Sequence, residues 1–473
     1  MPWKKPFAKE SLRRAGFLSC AGLLFCLAAR AQKPSSELPK DLLDLVQIKQ
    51  KMRQNLTHLP DFTCVETMQR SRKSGNAAQF SLVDSLKLEV LYSGNKELHA
   101  WPGSRRFEEQ DSRFGDSGMF SDGEFASHAQ GVFISNRAQI HFAGAEVWRG
   151  RDTLKYTFRI PAMMSGWTVN IGGASGVVGE RGTFWADPAT FEVLRLEISA
   201  DEIPPTLPVQ SVEVAMEYGR VRIGSADILA PQQAELLLTL TDRSQNRNVV
   251  EFSQCRQYHA ESAISFDTDA DATKDTSAAT DTAAVQEIEL PADLPLKLQL
   301  DTVLDSDTAA QGDPITAHLT APAELKGKIY IPQGALVRGR IRRLERYPVE
   351  KPYLVVGIEF SEIEFGNKRA AFLGRLDQMD PLRGLIPTRM PDAKFDSSSV
   401  FHSRIMDGSS LATSSTPVSE TVRIVNLTGL ELPGVGTFAL EGRRVQLAAG
   451  FRMTWRTVSL APPEPVPQKK GKK

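Results

Sequence analysis

The residue types able to carry reactivity in this 473-residue chain are few and scattered. Its histidines are His58, His99, His128, His141, His259, His318 and His402, with no His-x-His or His-Glu-x-x-His spacing among them. Four cysteines (Cys20, Cys26, Cys64, Cys255) are too few and too dispersed for a zinc cage. Asp267-x-Asp269-x-Asp271 has the opening of a calcium loop. Ala272 stands where its sharp turn needs glycine, and Ala278 where the bidentate acid belongs. Gly172 to Gly179 is glycine-rich but lacks the Lys-Ser/Thr ending of a phosphate loop, and it precedes a strand. It reads as a flexible connection, with a lid over a cleft as the functional alternative. A hydrolase would have to draw His128 or His141 together with a serine or an acid, and no Gly-x-Ser-x-Gly elbow is present. The sequence therefore predicts a non-enzymatic protein with no catalytic residues, no cofactor and no metal.

Cys20 and Cys26 fall within an export signal. Lys4, Lys5, Lys9, Arg13 and Arg14 lead into an apolar run from Ala15 to Ala29, closed by the small-x-small pattern Ala29-Arg30-Ala31. Cleavage after Ala31 predicts a periplasmic or secreted protein. It removes six basic residues and one acid, leaving 51 basic and 56 acidic, a net charge of −5. Nothing in that balance favours nucleic acid. No later run reaches the roughly 18 apolar residues of a membrane span. Cys64 and Cys255 remain, and the oxidising address makes a disulfide between them plausible. If the strands that carry them meet, the bond closes a loop of about 190 residues, worth roughly 5 kcal/mol by loop entropy. The alternative is two separate buried thiols.

The elements that must position these groups are mostly strands. Leu38, Leu42, Leu45, Val46, Met52 and Leu56 recur at helical steps, giving an N-terminal amphipathic helix. Beyond Pro60 the pattern alternates, with strands at 80–92, 153–160, 183–198, 212–223, 234–241 and 247–258. Asp187-Pro188-Ala189-Thr190 is a turn in which Asp187 can bond the following amides. Apolar parity slips at Gly219, which predicts a bulge. Residues 267–289 hold seven acids and one base with no aromatic residue, the composition of a disordered linker. The predicted organisation is a signal peptide 1–31, a curved-sheet domain 32–266, the acidic linker 267–289 and a second β-rich domain 290–460. A mobile loop spans 387–419 in the second domain, and a Pro/Lys-rich tail covers 461–473. Arg338, Arg340 and Arg342, followed by Arg343 and Arg346, are expected to pair with Glu359, Glu362 and Glu364 of the following strand as a charge-balanced sheet face, with an anion site as the alternative.

Three family likenesses follow from these residues. The N-terminal helix, Phe184-Trp185-Ala186-Asp187-Pro188-Ala189-Thr190, Val193-Leu194-Arg195-Leu196, Tyr218 to Ile223 and Val250-Glu251-Phe252 resemble the LolA-type outer-membrane lipoprotein-sorting fold over about 38–266. Leu59 to Cys64 and onwards also resembles a family of exported acidobacterial proteins, for which no activity is implied. In the second domain Asp305 to Asp313, Ile331 to Gly339 and Tyr353 to Phe365 resemble the β-barrel of TrbI-type conjugation-channel proteins. The fold class expected is mainly β (α+β), a half-open antiparallel β-barrel with an N-terminal helix plus a second β-barrel or sandwich. The LolA likeness implies an apolar groove for lipid or lipoprotein acyl chains. Trp148, Trp167, Trp185 and Phe133 are its candidate lining; the same aromatics would equally serve as core. A structural or assembly module acting on other envelope proteins is the competing expectation.

Overall fold

In the computed structural model the described residues are 38–94, 96–104, 107, 126–171, 174–258, 286–382, 432 and 434–458. The export signal 1–31, the loop 387–419 and the tail 461–473 lie outside them. Helix α1 (Lys40–Thr57) precedes β1 (Phe62–Lys73), β2 (Ser81–Ser93) and β3 (Lys96–Ala100). A short helix, α2 (Ser127–Ala129), continues as one π-turn over Gln130–Ile134. Then follow β4 (Gln139–Trp148), β5 (Arg151–Ile160), a 3-10 turn (Ala162–Met164), and the small hairpin β6 (Thr168–Ile171) and β7 (Ala174–Val177). The first half closes with β8 (Gly179–Ala186), β9 (Val193–Asp201), β10 (Val209–Ile223), β11 (Ala226–Leu240) and β12 (Gln245–Gln257).

Ten of these strands form one antiparallel sheet in the order β3-β2-β1-β12-β11-β10-β9-β8-β5-β4. The first and last strands of the half, β1 and β12, are therefore neighbours inside the sheet, and Cys64 is bonded to Cys255 across them. Alternation places Leu86, Leu88 and Val90, or Leu196, Ile198 and Ala200, on one face, and that face curls around α1. The helix buries Asp44, Ile48, Met52 and Leu56, at four-residue steps. Both its ends are tied. The Tyr156 hydroxyl donates to the Asp41 carbonyl (2.7 Å), and the Asn55 carboxamide bonds both backbone groups of Leu229 (2.7 and 2.8 Å). Leu229 lies where β11 has run past its pairing with β12, so Asn55 satisfies groups the ladder leaves open.

The second half contains β13 (Gln286–Ile288), β14 (Pro295–Leu300), β15 (Leu304–Asp305), β16 (Pro314–Leu319), β17 (Ala323–Leu325), β18 (Lys328–Ile331), β19 (Leu336–Tyr347) and β20 (Tyr353–Phe365). It ends with β21 (Lys368–Ala371), β22 (Gly374–Met379), β23 (Val435–Glu441), β24 (Gln446–Leu447) and β25 (Arg452–Thr457). The main path is β13-β21-β20-β19-β16-β14-β25-β22, with β23 also on β20. At the end of the expected linker 267–289, Gln286–Ile288 forms β13 and pairs in parallel with Lys368–Ala370; residues 259–285 lie outside the described residues. A three-residue pairing needs only backbone groups, which composition does not register. Trp455 fills the core beside Phe360 (5.3 Å) and Phe372 (6.2 Å). Part of the arginine row is paired across strands as expected, Arg338 with Glu364 and Arg340 and Arg342 with Glu359, and Arg369 of β21 joins Glu362 and Glu364. Arg343 instead pairs with Glu345 of its own strand, and Arg346 donates to the Ser306 carbonyl.

Asp41–Lys473 is one compact unit, and a short loop of the second half is built into the first sheet. β3 pairs only with Glu89–Ser93 of β2, leaving the earlier part of that edge open. Gln311 takes the vacant place: its N–H donates to Ser85 O and its carbonyl accepts from Lys87 N, both at 2.8 Å. Its side chain donates to Asp84 (2.9 Å), which is already paired with the buried Arg70 at 2.6 and 2.7 Å. Gly312, at φ +95°, passes so close that a Cβ would stand 2.2 Å from Lys87 O and 3.0 Å from the Trp101 ring. The Arg342 guanidinium lies 4.8 Å from the centre of that ring. Among the described residues no helix is long and apolar enough to cross a membrane.

Candidate functional site

The sheet runs from β3 to β4, and among the described residues no strand pairing joins those two ends. The concave face is instead filled by α1, by the helix over 127–134 and by the β6–β7 hairpin. The last two are short covers. Val132 and Phe133 enter from one, Val169 and Ile171 from the other, and all four are buried. Phe133 meets Phe184 edge-on at 4.9 Å, and Phe184 stacks on Tyr156 at 5.2 Å. Burial, together with Asp44 and then Asp41, pushes the Tyr156 phenol up to about 12.

Both covers converge on one carboxylate. Glu180, buried near the start of β8, accepts from the Ser165 hydroxyl (2.9 Å) just ahead of the β6–β7 hairpin. Its other oxygen lies 3.6 Å from His128 Nδ1 in α2. Trp167 packs edge-on against the His128 ring at 5.2 Å, and its N–H donates to Ser165 Oγ at 3.0 Å. The structure thus brings His128, a serine and an acid together, but in the order serine–glutamate–histidine. The imidazole addresses the carboxylate rather than the hydroxyl, so the group does not form the relay in which histidine takes a serine proton. What it does do is tie the approach to the hairpin to β8 through the Ser165 hydrogen bond and set the other Glu180 oxygen, which has no hydrogen-bond partner among the described residues, at ion-pair distance from His128 in the other cover. His141 lies elsewhere, exposed on β4. Among the described residues no group of three or more His, Cys, Asp or Glu is placed to hold a metal ion.

The four aromatic candidates divide between the two faces. Phe133 is wholly buried inside, and Trp167 is half-buried at the cover. Trp185 follows the inward Phe184 and therefore points to the convex face. There its indole N–H donates to Glu146, and Lys155 lies 5.3 Å from the ring centre. Those two donors hold the Glu146 carboxyl below its ordinary range, the indole bond contributing most. Trp148 falls on the same face, at the β4–β5 turn under the Arg149 guanidinium (4.8 Å). Trp148 and Trp185 are therefore not lining partners of Phe133 and Trp167. Identity alone concealed this, whereas strand parity from Phe184 carried the signal.

Where the sheet is left open, apolar side chains reach solvent. Leu42, Leu43 and Val46 of α1 are exposed, and so is Phe142 of the edge strand β4. Phe142 touches Tyr156 edge-on at 5.2 Å, so the exposed apolar surface is continuous with the buried interior.

No protein-family model matches the chain, and no curated protein matches it in sequence. Among solved structures the first half is similar to a putative outer membrane lipoprotein-sorting protein domain from Vibrio parahaemolyticus: 14% identity, 46% of this chain and 92% of that one, TM-score 0.27. It is also similar to a DUF1329 family protein from Desulfovibrio piger, with 13% identity, 48% and 96% coverage and TM-score 0.27. The lipoprotein LppX of Mycobacterium tuberculosis matches at 13% identity, 46% and 98% coverage and TM-score 0.17.

Proposed function

We propose that this is a non-catalytic protein of the cell envelope, periplasmic or secreted, whose first half takes up a lipid or lipoprotein acyl chain. The observation that carries this reading is the open sheet: its seam is filled by one helix and two short covers, and apolar side chains run from the surface at Phe142 to the interior at Tyr156 and Phe184. The interior is packed, with Ile48, Val132, Phe133 and Phe184 each at 0% exposure, so an entering chain must displace a cover. The covers suit that role, because a two-stranded hairpin and an eight-residue helix have little stability of their own.

Native mass spectrometry of the full chain, exported by a Gram-negative host, tests the reading. A co-purifying mass that organic extraction removes, and that a fluorescent fatty acid replaces saturably, is the expected result. No adduct together with no saturable binding refutes it. An assembly module is the second reading, and β4 favours it: the strand is the sheet's edge and is mostly exposed along its length, so another chain's strand can pair there. Light scattering that shows a stable oligomer or complex would favour that reading.

A further inference from the structure

The 3-10 turn after β5 carries the most exposed apolar side chain among the described residues, Met163 at 91%, followed by Met164 at 43%. Val177 at 45% emerges on the neighbouring hairpin, opposite Thr168, and Pro205 is exposed in the adjoining loop. Backbone packing fixes these parts together. A Cβ on Gly179 would stand 3.1 Å from Ala162 N, and one on Gly176 3.0 Å from Pro204. The result is a convex apolar tip, not a groove.

Three arginines stand at its base. Arg137 donates to the Met164 carbonyl (3.1 Å), while Arg159 and Arg181 are register partners across β5 and β8. Arg159 is taken up by Asp201 and Glu202. Arg181 is exposed, and its charge also acts on Asp201. Trp167, half-buried, lies immediately behind the tip.

We propose that this tip docks the protein on a phospholipid bilayer: Met163, Met164 and Val177 enter the boundary between headgroups and acyl chains, and Arg137 and Arg181 meet lipid phosphates. Unbranched apolar side chains projecting from a turn, cations at their base and an indole at headgroup depth are the arrangement an interface selects. The tip also lies at the end of the sheet where both covers attach. Docking does not require that the interior hold a lipid, so the two readings can fail separately.

The test is flotation of the full mature chain with vesicles of phosphatidylcholine containing about one quarter phosphatidylglycerol. Wild type should partition to the vesicles, and M163D/M164D should do so at least about tenfold more weakly. The melting temperature should change little, because Met163 is almost wholly solvated and Met164 partly so. R137Q/R181Q should weaken binding to the anionic vesicles only, with the difference vanishing at high salt. Wild type that stays in solution, or a double aspartate variant that floats equally well, overturns the proposal. So does a wild-type dimer that M163D/M164D abolishes, which would assign the tip to a second copy of the chain.

Discussion

Replacing Gly312 by alanine isolates the joint between the two halves. The residue sits at φ +95°, where a side chain costs about 1–2 kcal/mol. The new Cβ would also stand 2.2 Å from the Lys87 carbonyl oxygen, a backbone atom fixed in β2, so the loop must lift. Lifting it breaks the two backbone bonds between Gln311 and β2, at about 1 kcal/mol each. The total loss is about 3–4 kcal/mol. Gly334 supplies the control: it has φ +82°, but nothing lies within 4 Å of its Cβ position, so Gly334→Ala should cost only the conformational part. Urea unfolding of both variants, compared at equal slope, should place Gly312→Ala about 2 kcal/mol below Gly334→Ala. Hydrogen exchange should show protection lost at Lys87, whose amide is bonded to Gln311. Equal midpoints for the two variants, within about 0.5 kcal/mol, would refute the view that the loop is an integral part of the first sheet.

Asp84→Ala leaves Arg70 buried at 2% exposure without its carboxylate, and urea unfolding should register a loss of about 3–5 kcal/mol. Cys64→Ser/Cys255→Ser opens a loop with a sequence separation of 191, and should lower stability by up to about 5 kcal/mol relative to the oxidised wild type. Glu180→Ala should speed hydrogen exchange in 127–134 and 168–171 while β10–β12 stay protected; uniform protection would remove the carboxylate's role in holding the covers. Tyr156 is neutral in the fold up to about pH 12 but ionises near 10 when unfolded. The stability this contributes is complete below pH 10 and is lost as pH rises through 12, which phenolate absorbance set against unfolding midpoints will check.

Much of the strand plan was legible because alternation records which face is buried. Helix α1 was expected over 38–56 and is found at Lys40–Thr57. The Asp187 turn forms as its chemistry dictates, the carboxylate accepting from Ala189 and Thr190 at 2.8 and 3.0 Å. The parity slip at Gly219 marks a register shift that falls one residue earlier, between Glu217 and Tyr218. The helix over 127–134 gave no signal, since eight residues are too few for a helical period. Nor did the joint, because Gln311 and Gly312 act through backbone placement. At the candidate site, Phe133 was named for its type. The Glu180 attachment was not, because it joins three residues whose separation in sequence says nothing of their distance.

The placement of β12 against β1 has a consequence for the order of events. As the chain emerges, β1, β2 and β3 can pair only with one another, and one edge of β1 stays open until Gln245–Gln257 has been made. Pairings of such sequence separation are slow to form. The Cys64–Cys255 bond joins the two ends of the first half, so it can form only after Cys255 has been synthesised, and it fixes β1 beside β12. Bond and ladder therefore support each other: whichever forms first brings the other's partners together across 191 residues of sequence.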